Sequence, residues 1–395
     1  MFRRIHRRSV LIAVIALAML LALPVTATAK KGGDAANTVA DVEFLGEAIV
    51  DSGTTFDGTV IGGLSSITYD RARGVYHAIS DDQGNRPSED PVRYYSIDID
   101  LGDGTLDDGD VTFVDVTQIY DYEEMPFAPG GLDPEGIVLA RQGQFFVSSE
   151  GNIFADPIID PFIRRYNRNG VLTAEMPIPA KYIPNGVDWG VRFNLGFESL
   201  NMTPDGRYLV TAAEDALFQD GPKATDENGS LARILVFDAR KRVPVAEYVY
   251  EVDPVAENDF IFGVNGIVEV LPIDDAGTML VMERSFSVLG TLGNGTGNYV
   301  NLHEVSTDGA TDVLGIDALY DGGSPIGDVT PVSKDLVFAF DELLIPIDNI
   351  EGMTFGPDLP DGRKTLVIVS DDNFNDFGGA FTQFLVFALD IQPAD

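Results

Sequence analysis

Asp133-Pro134-Glu135-Gly136-Ile137, answered a few residues later by Phe145-Phe146-Val147-Ser148-Ser149-Glu150, is the stretch that decides the fold. A short apolar strand opens on a small or acidic residue, a Gly or Asp turn follows, and a second apolar strand ends on an acid. The same unit begins at Gly63-Leu64-Ser65-Ser66-Ile67, Gly196-Phe197-Glu198-Ser199-Leu200, Val264-Asn265-Gly266-Ile267 and Ile350-Glu351-Gly352-Met353. The steps from Ile67 to Ile137, Leu200, Ile267 and Met353 are 70, 63, 67 and 86 residues. Third strands rich in aromatic and β-branched residues follow, among them Tyr94-Tyr95-Ser96-Ile97, Ile234-Leu235-Val236-Phe237 and Phe384-Leu385-Val386-Phe387. Fourth strands fit at residues 111–114 and 245–250.

Turn residues such as Asp205-Gly206 and Asp308-Gly309 separate these strands, and no segment shows a 3.6-residue amphipathic period. Four strands per unit at a near-constant period predict an all-β protein, a β-propeller, whose radial repetition leaves few exposed sheet edges. Five blades are readable. The long fourth interval, with its extra strand at residues 336–340, leaves room for a sixth. A β-sandwich or β-solenoid is the competing arrangement. The fifth unit ends after its third strand near Leu389, while Val42-Glu43-Phe44-Leu45 precedes the first unit. The N-terminal strand is therefore expected to complete the last blade and fasten the ring.

Arg3, Arg4, His6, Arg7 and Arg8 precede an apolar run from Val10 to Leu23, then Pro24 and Ala27-Thr28-Ala29. That order predicts a signal peptide over residues 1–29, a flexible segment over 30–40 and one propeller domain over 41–391. The apolar run is shorter than the roughly 20 residues that span a bilayer. The expected product is secreted or periplasmic, free of the membrane after cleavage, and monomeric. The chain has 63 Asp and Glu against 26 Lys and Arg, a net charge of −37, and no Cys. Disulfides, thiolate chemistry and nucleic-acid phosphate binding are excluded, and such a surface attracts divalent cations.

Aligning the units puts Ser65, Glu135, Glu198, Asn265 and Glu351 at one equivalent position. It puts Asp81, Glu150, Glu214, Glu283 and Asp371 at a second, the end of the second strand. The first strand of a blade lines the central channel, so these acids are expected to converge at one mouth. Converging carboxylates recruit cations, and oxygen-only donors point to Ca²⁺, with Mg²⁺ as the alternative. Glu135, Glu198 and Glu351 are the candidate catalytic ligands or bases. Asp81, Asp82, Glu150, Glu214, Glu283, Asp371 and Asp372 are candidate metal ligands, and Arg86 and Arg284 are candidate anchors for an anionic substrate.

The acidic hairpin from Asp98 to Asp110 lacks EF-hand spacing and reads as an acidic turn. No G-x-S-x-G elbow occurs, and His77 and His303 fall inside predicted strands, which disfavours a serine triad. Phe154, Trp189, Phe218 and Phe286 fall in loops where exposed aromatics would favour a binding role.

The stretches Gly63–Asp82, Asp133–Gly151, Gly196–Gly206, Met282–Ser285 and Asn349–Asn373 together resemble the phytase-like family, the "esterase-like activity of phytase". The resemblance covers roughly residues 40–390. It implies a propeller bearing Glu and Asp residues and an activity on phosphoesters or related esters. A small-molecule ester is then the expected partner. Two other readings share the acid ring: a non-catalytic propeller that binds a glycan, peptide or protein with structural Ca²⁺, and a lactonase-like propeller with a central cation.

Overall fold

Leu366-Val367-Ile368-Val369 is fully buried along its whole length. Successive strand side chains point to opposite faces, so a strand with no polar face must be covered on both sides. Leu366 and Ile368 pack against one neighbouring blade and Val367 and Val369 against the other. The whole molecule repeats this arrangement. The computed structural model describes residues 36–394 except 87, 258–260, 322 and 377. It is a five-bladed β-propeller, each blade a four-stranded antiparallel sheet.

Blade 1 runs from the inside outward through Leu64–Asp70, Val75–Ser80, Arg93–Ile99 and Val111–Gln118. Blade 2 uses Pro134–Leu139, Phe145–Ser149, Phe162–Tyr166 and Leu172–Glu175. Blade 3 uses Asn201–Met202, Tyr208–Ala212, Ser230–Asp238 and Val243–Val252, and blade 4 uses Gly263–Pro272, Thr278–Ser287, Asn298–Ser306 and Ser333–Ala339. Blade 5 combines Asn349–Phe355, Lys364–Asp371 and Thr382–Pro393 with the N-terminal strand Asn37–Val50. There is no common core. Five apolar wedges, one between each pair of successive blades, hold the ring.

The expected closure is present: Asn37 pairs with Pro393 and the ladder runs to Val50 opposite Thr382. This strand begins at Asn37, inside the segment expected to be flexible. Residues 1–29, the expected signal peptide, lie outside the described residues. No helix among the described residues is long and apolar enough to cross a membrane. The strand at 336–340 is no sixth blade; it is the outer strand of blade 4. The long fourth interval comes from an insertion ahead of it, with a small hairpin at Tyr320–Asp321 and Ser324–Pro325.

That insertion folds back on blade 3, where Val313 and Leu319 pack on Val249. Lys181 pins it by donating to the carbonyls of Leu314 and Ile316 at 2.8 and 2.7 Å while pairing with Glu247 at 2.9 Å. Arg233 joins Asp220 and Glu247, both at 2.6 Å, in the same buried network.

The closing strand must pass close to blade 1. Gly46 adopts φ +136°, and a Cβ there would lie 2.1 Å from the Leu106 carbonyl oxygen. Gly46→Val should therefore cost about 2–4 kcal/mol of unfolding free energy in urea titrations, the range for backbone strain combined with a forced contact. Gly327→Ala, whose Cβ meets nothing, should stay within about 0.5 kcal/mol of the parent. Equal stability of the two variants would show that the closing strand does not fix this approach.

Candidate active site

Five β-bulges build the site. A bulge sets an extra residue against its partner strand and re-aims its side chain. In blade 1 Leu64 pairs with Ser80 and Ser66 with Ile79, leaving Ser65 bulged. Glu351 is the equivalent residue in blade 5, and Glu135 falls in the irregular step between Pro134 and Ile137 of blade 2. In blade 3 Phe197 bridges Ala213 and Asn201 pairs with Val210, so Glu198 lies in the same irregular step.

Blade 4 departs from the sequence alignment. Its bulge falls at Val268, because Ile267 pairs with Glu283 and Glu269 with Met282. Val268, not Asn265, therefore holds the inner position. The residue opposite Gly266 is Arg284, which takes the place that Asp81, Glu150, Glu214 and Asp371 hold in the other blades. A Cβ on Gly266 would strike the Glu214 side chain at 2.4 Å, so the close blade 3–blade 4 approach requires glycine. The shared step Gly63-Leu64, Gly196-Phe197, Gly266-Ile267 was the available signal for this register.

Around the mouth stand the carboxyl groups of Asp81, Asp133, Glu135, Glu150, Glu198, Glu214, Glu351 and Asp371, with Arg284 among them. Arg284 donates to Glu351 at 2.6 Å and to Asn349 at 2.5 Å, and lies 3.4 Å from Glu214. Its Nε is buried and meets no acceptor. Two sets of three, Asp133 with Glu135 and Glu150, and Glu150 with Glu198 and Glu214, bring oxygens within 4.8 Å of one another. Glu135 is 8% exposed and Glu198 9%. Neither accepts a hydrogen bond from an N–H or O–H group among the described residues. Their neighbours are mostly other carboxyls, with the Arg284 guanidinium also acting on Glu198.

Burial first, and neighbouring carboxylates second, push the pKa values of Asp81, Glu135, Glu198, Glu214 and Asp371 well above the ordinary range. Burial pushes Asp133 up to about 6 and Glu150 up to about 8. At Arg284 burial opposes the charge, but Glu351, Glu214 and Glu198 outweigh it and raise its pKa. Such a donor set, all oxygen and over-supplied with negative charge, fits a hard divalent cation such as Ca²⁺ or Mg²⁺.

Other residues singled out by sequence sit elsewhere. Asp82 forms a fully buried pair with Arg93 at 2.9 Å. Asp372 accepts from Ser52 Oγ at 2.5 Å and from the Gly63 and Phe374 N–H groups, tying blade 5 to blade 1. Arg86 pairs with Asp376 at 2.7 Å and lies over the Phe374 ring at 3.8 Å. Glu283, one residue out of register with the ring, accepts from Tyr250 Oη at 2.6 Å and Asn265 Nδ2 at 2.9 Å and is paired with Lys334. Asp253, Glu283 and His303 also come together, but the Lys334 ammonium already supplies the positive charge there. Trp189, Phe218 and Phe286 are half-buried; only Phe154 of the four loop aromatics is exposed.

Sequence reasoning missed three residues: Asp133, Asn349 and Glu269. Glu269 follows the blade 4 bulge, where the other blades carry Ser66, Gly136, Ser199 and Gly352. Starting from blade 4, its buried carboxyl reaches Ser66 of blade 1 at 3.2 Å, the Asn201 side chain of blade 3 and the Met353 backbone of blade 5. It therefore crosses the channel beneath the ring, and burial pushes it up to about 8.

A carboxyl with a raised folded pKa costs nothing below its ordinary value and progressively destabilises the fold as pH climbs to the raised one. Each tenfold change in proton affinity is worth about 1.4 kcal/mol. Metal-stripped protein should thus melt at its highest temperature on the acid side of neutrality and lose stability up to about pH 8, where Glu150 and Glu269 ionise. Glu269→Gln should remove part of that loss without lowering the melting temperature at acid pH. A melting temperature that rises from mildly acid to alkaline pH would contradict the buried, cation-free ring as the source of strain.

The chain is similar to an uncharacterized secreted protein of Arthroderma benhamiae, 29% identical over 146 residues. The alignment takes in 31% of this chain and 27% of that protein, so the chain spans about a quarter of the relative's length. Among solved structures, the periplasmic gluconolactonase PpgL of Pseudomonas aeruginosa matches with a TM-score of 0.35 at 12% identity, covering 84% of this chain and 89% of that one. The Dos1 propeller matches with a TM-score of 0.32 at 8% identity, covering 81% and 67%. The family model described as phytase-like, esterase-like activity of phytase, matches residues 59–374, and the chain belongs to that family.

Proposed function

We propose that the protein is an exported hydrolase that cleaves a phosphoester or related ester at the carboxylate ring with the help of a divalent cation. One observation carries the reading: Glu135 and Glu198, nine-tenths buried, lie among other carboxyls and accept no hydrogen bond from an N–H or O–H group among the described residues. Buried carboxylates in that state need either protons or a cation. Asp133, Glu135 and Glu150 would hold the cation, with Ca²⁺ favoured over Mg²⁺ because several side-chain oxygens are offered at once. When bound, the cation would polarise the ester and lower the pKa of a coordinated water.

The remaining work falls to side chains. Glu198 neighbours Glu150 and has a raised proton affinity, which suits a group that takes a proton from water and returns it to the leaving oxygen. Arg284, anchored by Glu351 and Asn349, keeps an unused N–H donor for a carbonyl or phosphoryl oxygen. Glu351 then acts through Arg284, as a positioning residue. Apart from that one N–H, three cations near the mouth are engaged: Arg284 by the ring, Arg86 by Asp376, and Arg192 by the Ala216 and Gly221 carbonyls. That supports an ester with little negative charge over a polyphosphate. Export is supported by the order of residues 1–29 and by the secreted relative.

Calorimetric titration of metal-stripped protein with Ca²⁺ tests the reading, together with turnover of p-nitrophenyl acetate and p-nitrophenyl phosphate. Glu135→Gln should weaken Ca²⁺ at least tenfold and abolish turnover, whereas Glu198→Gln should abolish turnover while weakening Ca²⁺ less. Glu283→Gln should leave Ca²⁺ affinity unchanged and lower the melting temperature. Parent-like Ca²⁺ affinity in both ring variants would overturn the metal assignment. Ca²⁺ binding with no ester turned over would favour a non-catalytic propeller with structural calcium.

A further inference from the structure

The mouth carries a second chemical character that the carboxylate ring does not use. Phe154 is 75% exposed and Phe193 is 52% exposed, yet their ring centroids lie 4.6 Å apart at 49°. Each belongs to a short hairpin. Asn152 bridges Ile159 around Phe154, and Arg192 bridges Leu195 around Phe193. The Asn152 side chain accepts from the Phe154 N–H at 2.9 Å, and Asn194 makes its turn at φ +53°. Arg192 is held at the base by the Ala216 and Gly221 carbonyls at 2.8 and 2.7 Å and lies over the Phe218 ring at 4.4 Å.

The two hairpins come from different blades and are joined at the foot through the site itself. The Gly196 N–H, just past the second hairpin, donates to Glu150 Oε1 at 2.5 Å. Phe154 follows Glu150 by four residues and Phe193 precedes Glu198 by five, so the pair stands on the two segments that supply both acids. Aromatic side chains expose large apolar areas, and a contiguous pair held over a site in a monomer marks a contact surface.

We infer that Phe154 and Phe193 form an apolar shelf at the mouth that takes the hydrocarbon part of the substrate, so that the ligand is an amphipathic ester with an acyl or aryl group. This rests on the hydrolase reading for the identity of the polar end, and on the hairpin geometry for the apolar end. The occupant follows from continuity: the shelf stands on the two segments that supply Glu150 and Glu198, joined at the Gly196–Glu150 hydrogen bond, so an ester held on it brings its polar end toward those acids. The engagement of Arg284, Arg86 and Arg192 by neighbouring groups argues in the same direction, because a polyanion finds little free counter-charge among the described residues there.

The test uses 2-butanone, 2-hexanone and 2-octanone, neutral carbonyl compounds that cannot be hydrolysed, titrated into the full chain by ligand-observed NMR. Affinity should rise roughly two- to fourfold per added methylene in the parent. The double variant Phe154→Ser/Phe193→Ser should lose that dependence at an unchanged melting temperature, and Phe154→Leu/Phe193→Leu should regain most of it. Affinity independent of chain length in the parent, or a dependence retained in the Ser variant, overturns the shelf. The two readings fail separately. Chain-length dependence that vanishes in the Ser variant, with no ester hydrolysed, upholds the shelf and sinks the hydrolase. Hydrolysis of p-nitrophenyl acetate with no chain-length preference for butyrate or octanoate sinks the shelf alone.

Discussion

Repulsion among buried carboxyl groups is the constraint around which the molecule is built. Eight of them face one mouth with Arg284 as the cation among them. Left ionised and unpaired, such groups would cost several kcal/mol each. A loop-built site would move apart to relieve that. Here each carboxyl is fixed by a strand end or a bulge, and each strand is clamped between two apolar wedges. Asn37–Val50 completes blade 5 and adds Ala48 to one of its wedges and Val39, Val42 and Phe44 to the other, strengthening the cycle where the chain ends meet. Closure thus converts a local electrostatic cost into a maintained one, which is what a preorganised cation site requires.

Blade 4 shows how the ring is kept within bounds. Arg284 replaces an acid and ties Glu351 of blade 5 to Glu214 of blade 3 across its own blade. One residue earlier, Glu283 points away from the channel and is satisfied by Tyr250, Asn265 and Lys334. Three residues past Gly266, Glu269 crosses the channel below the ring in a layer otherwise built from Ser and Gly. Gly136 and Gly352 are required in that layer by the next blade: a Cβ would lie 2.6 Å from Leu200 Cβ at the first and 2.7 Å from Ser66 Cα at the second.

The blade count, the closing strand and the acids at the mouth were legible in the sequence because they depend on periodicity, which a ring must obey. The extra strand at 336–340 was legible as a strand but not as an outer one. Its partner Asn298–Ser306 lies across an insertion whose length carries no pairing information. The register of blade 4 was not legible for a related reason. A bulge adds a residue without changing composition, so matching Asn265 and Glu283 by residue type misplaced the inner position by three and the second by one. Asp82 and Asp372 were indistinguishable from Asp81 and Asp371 as letters. Strand alternation sends one of each pair to the mouth and the other into the blade interface, where Arg93 and Ser52 await them.

Protons and cations are alternative ways of quieting the same ring, and that has a consequence for specificity. Where protons do it, the ring is a set of neutral donors and acceptors; where a divalent cation does it, the ring becomes an electrophilic centre wrapped in residual negative charge. In both states the surroundings repel a second anion, because the remaining carboxyls and the −37 chain supply a field that the few Lys and Arg cannot reverse. Binding energy for a substrate must then come from somewhere other than charge. Exposed Phe154 and Phe193, rooted beside Glu150 and Glu198, are the apolar surface that the fold places within reach of the ring. On the proposed reading the acid ring and the aromatic rim are complementary, the first setting what reacts and the second what is held.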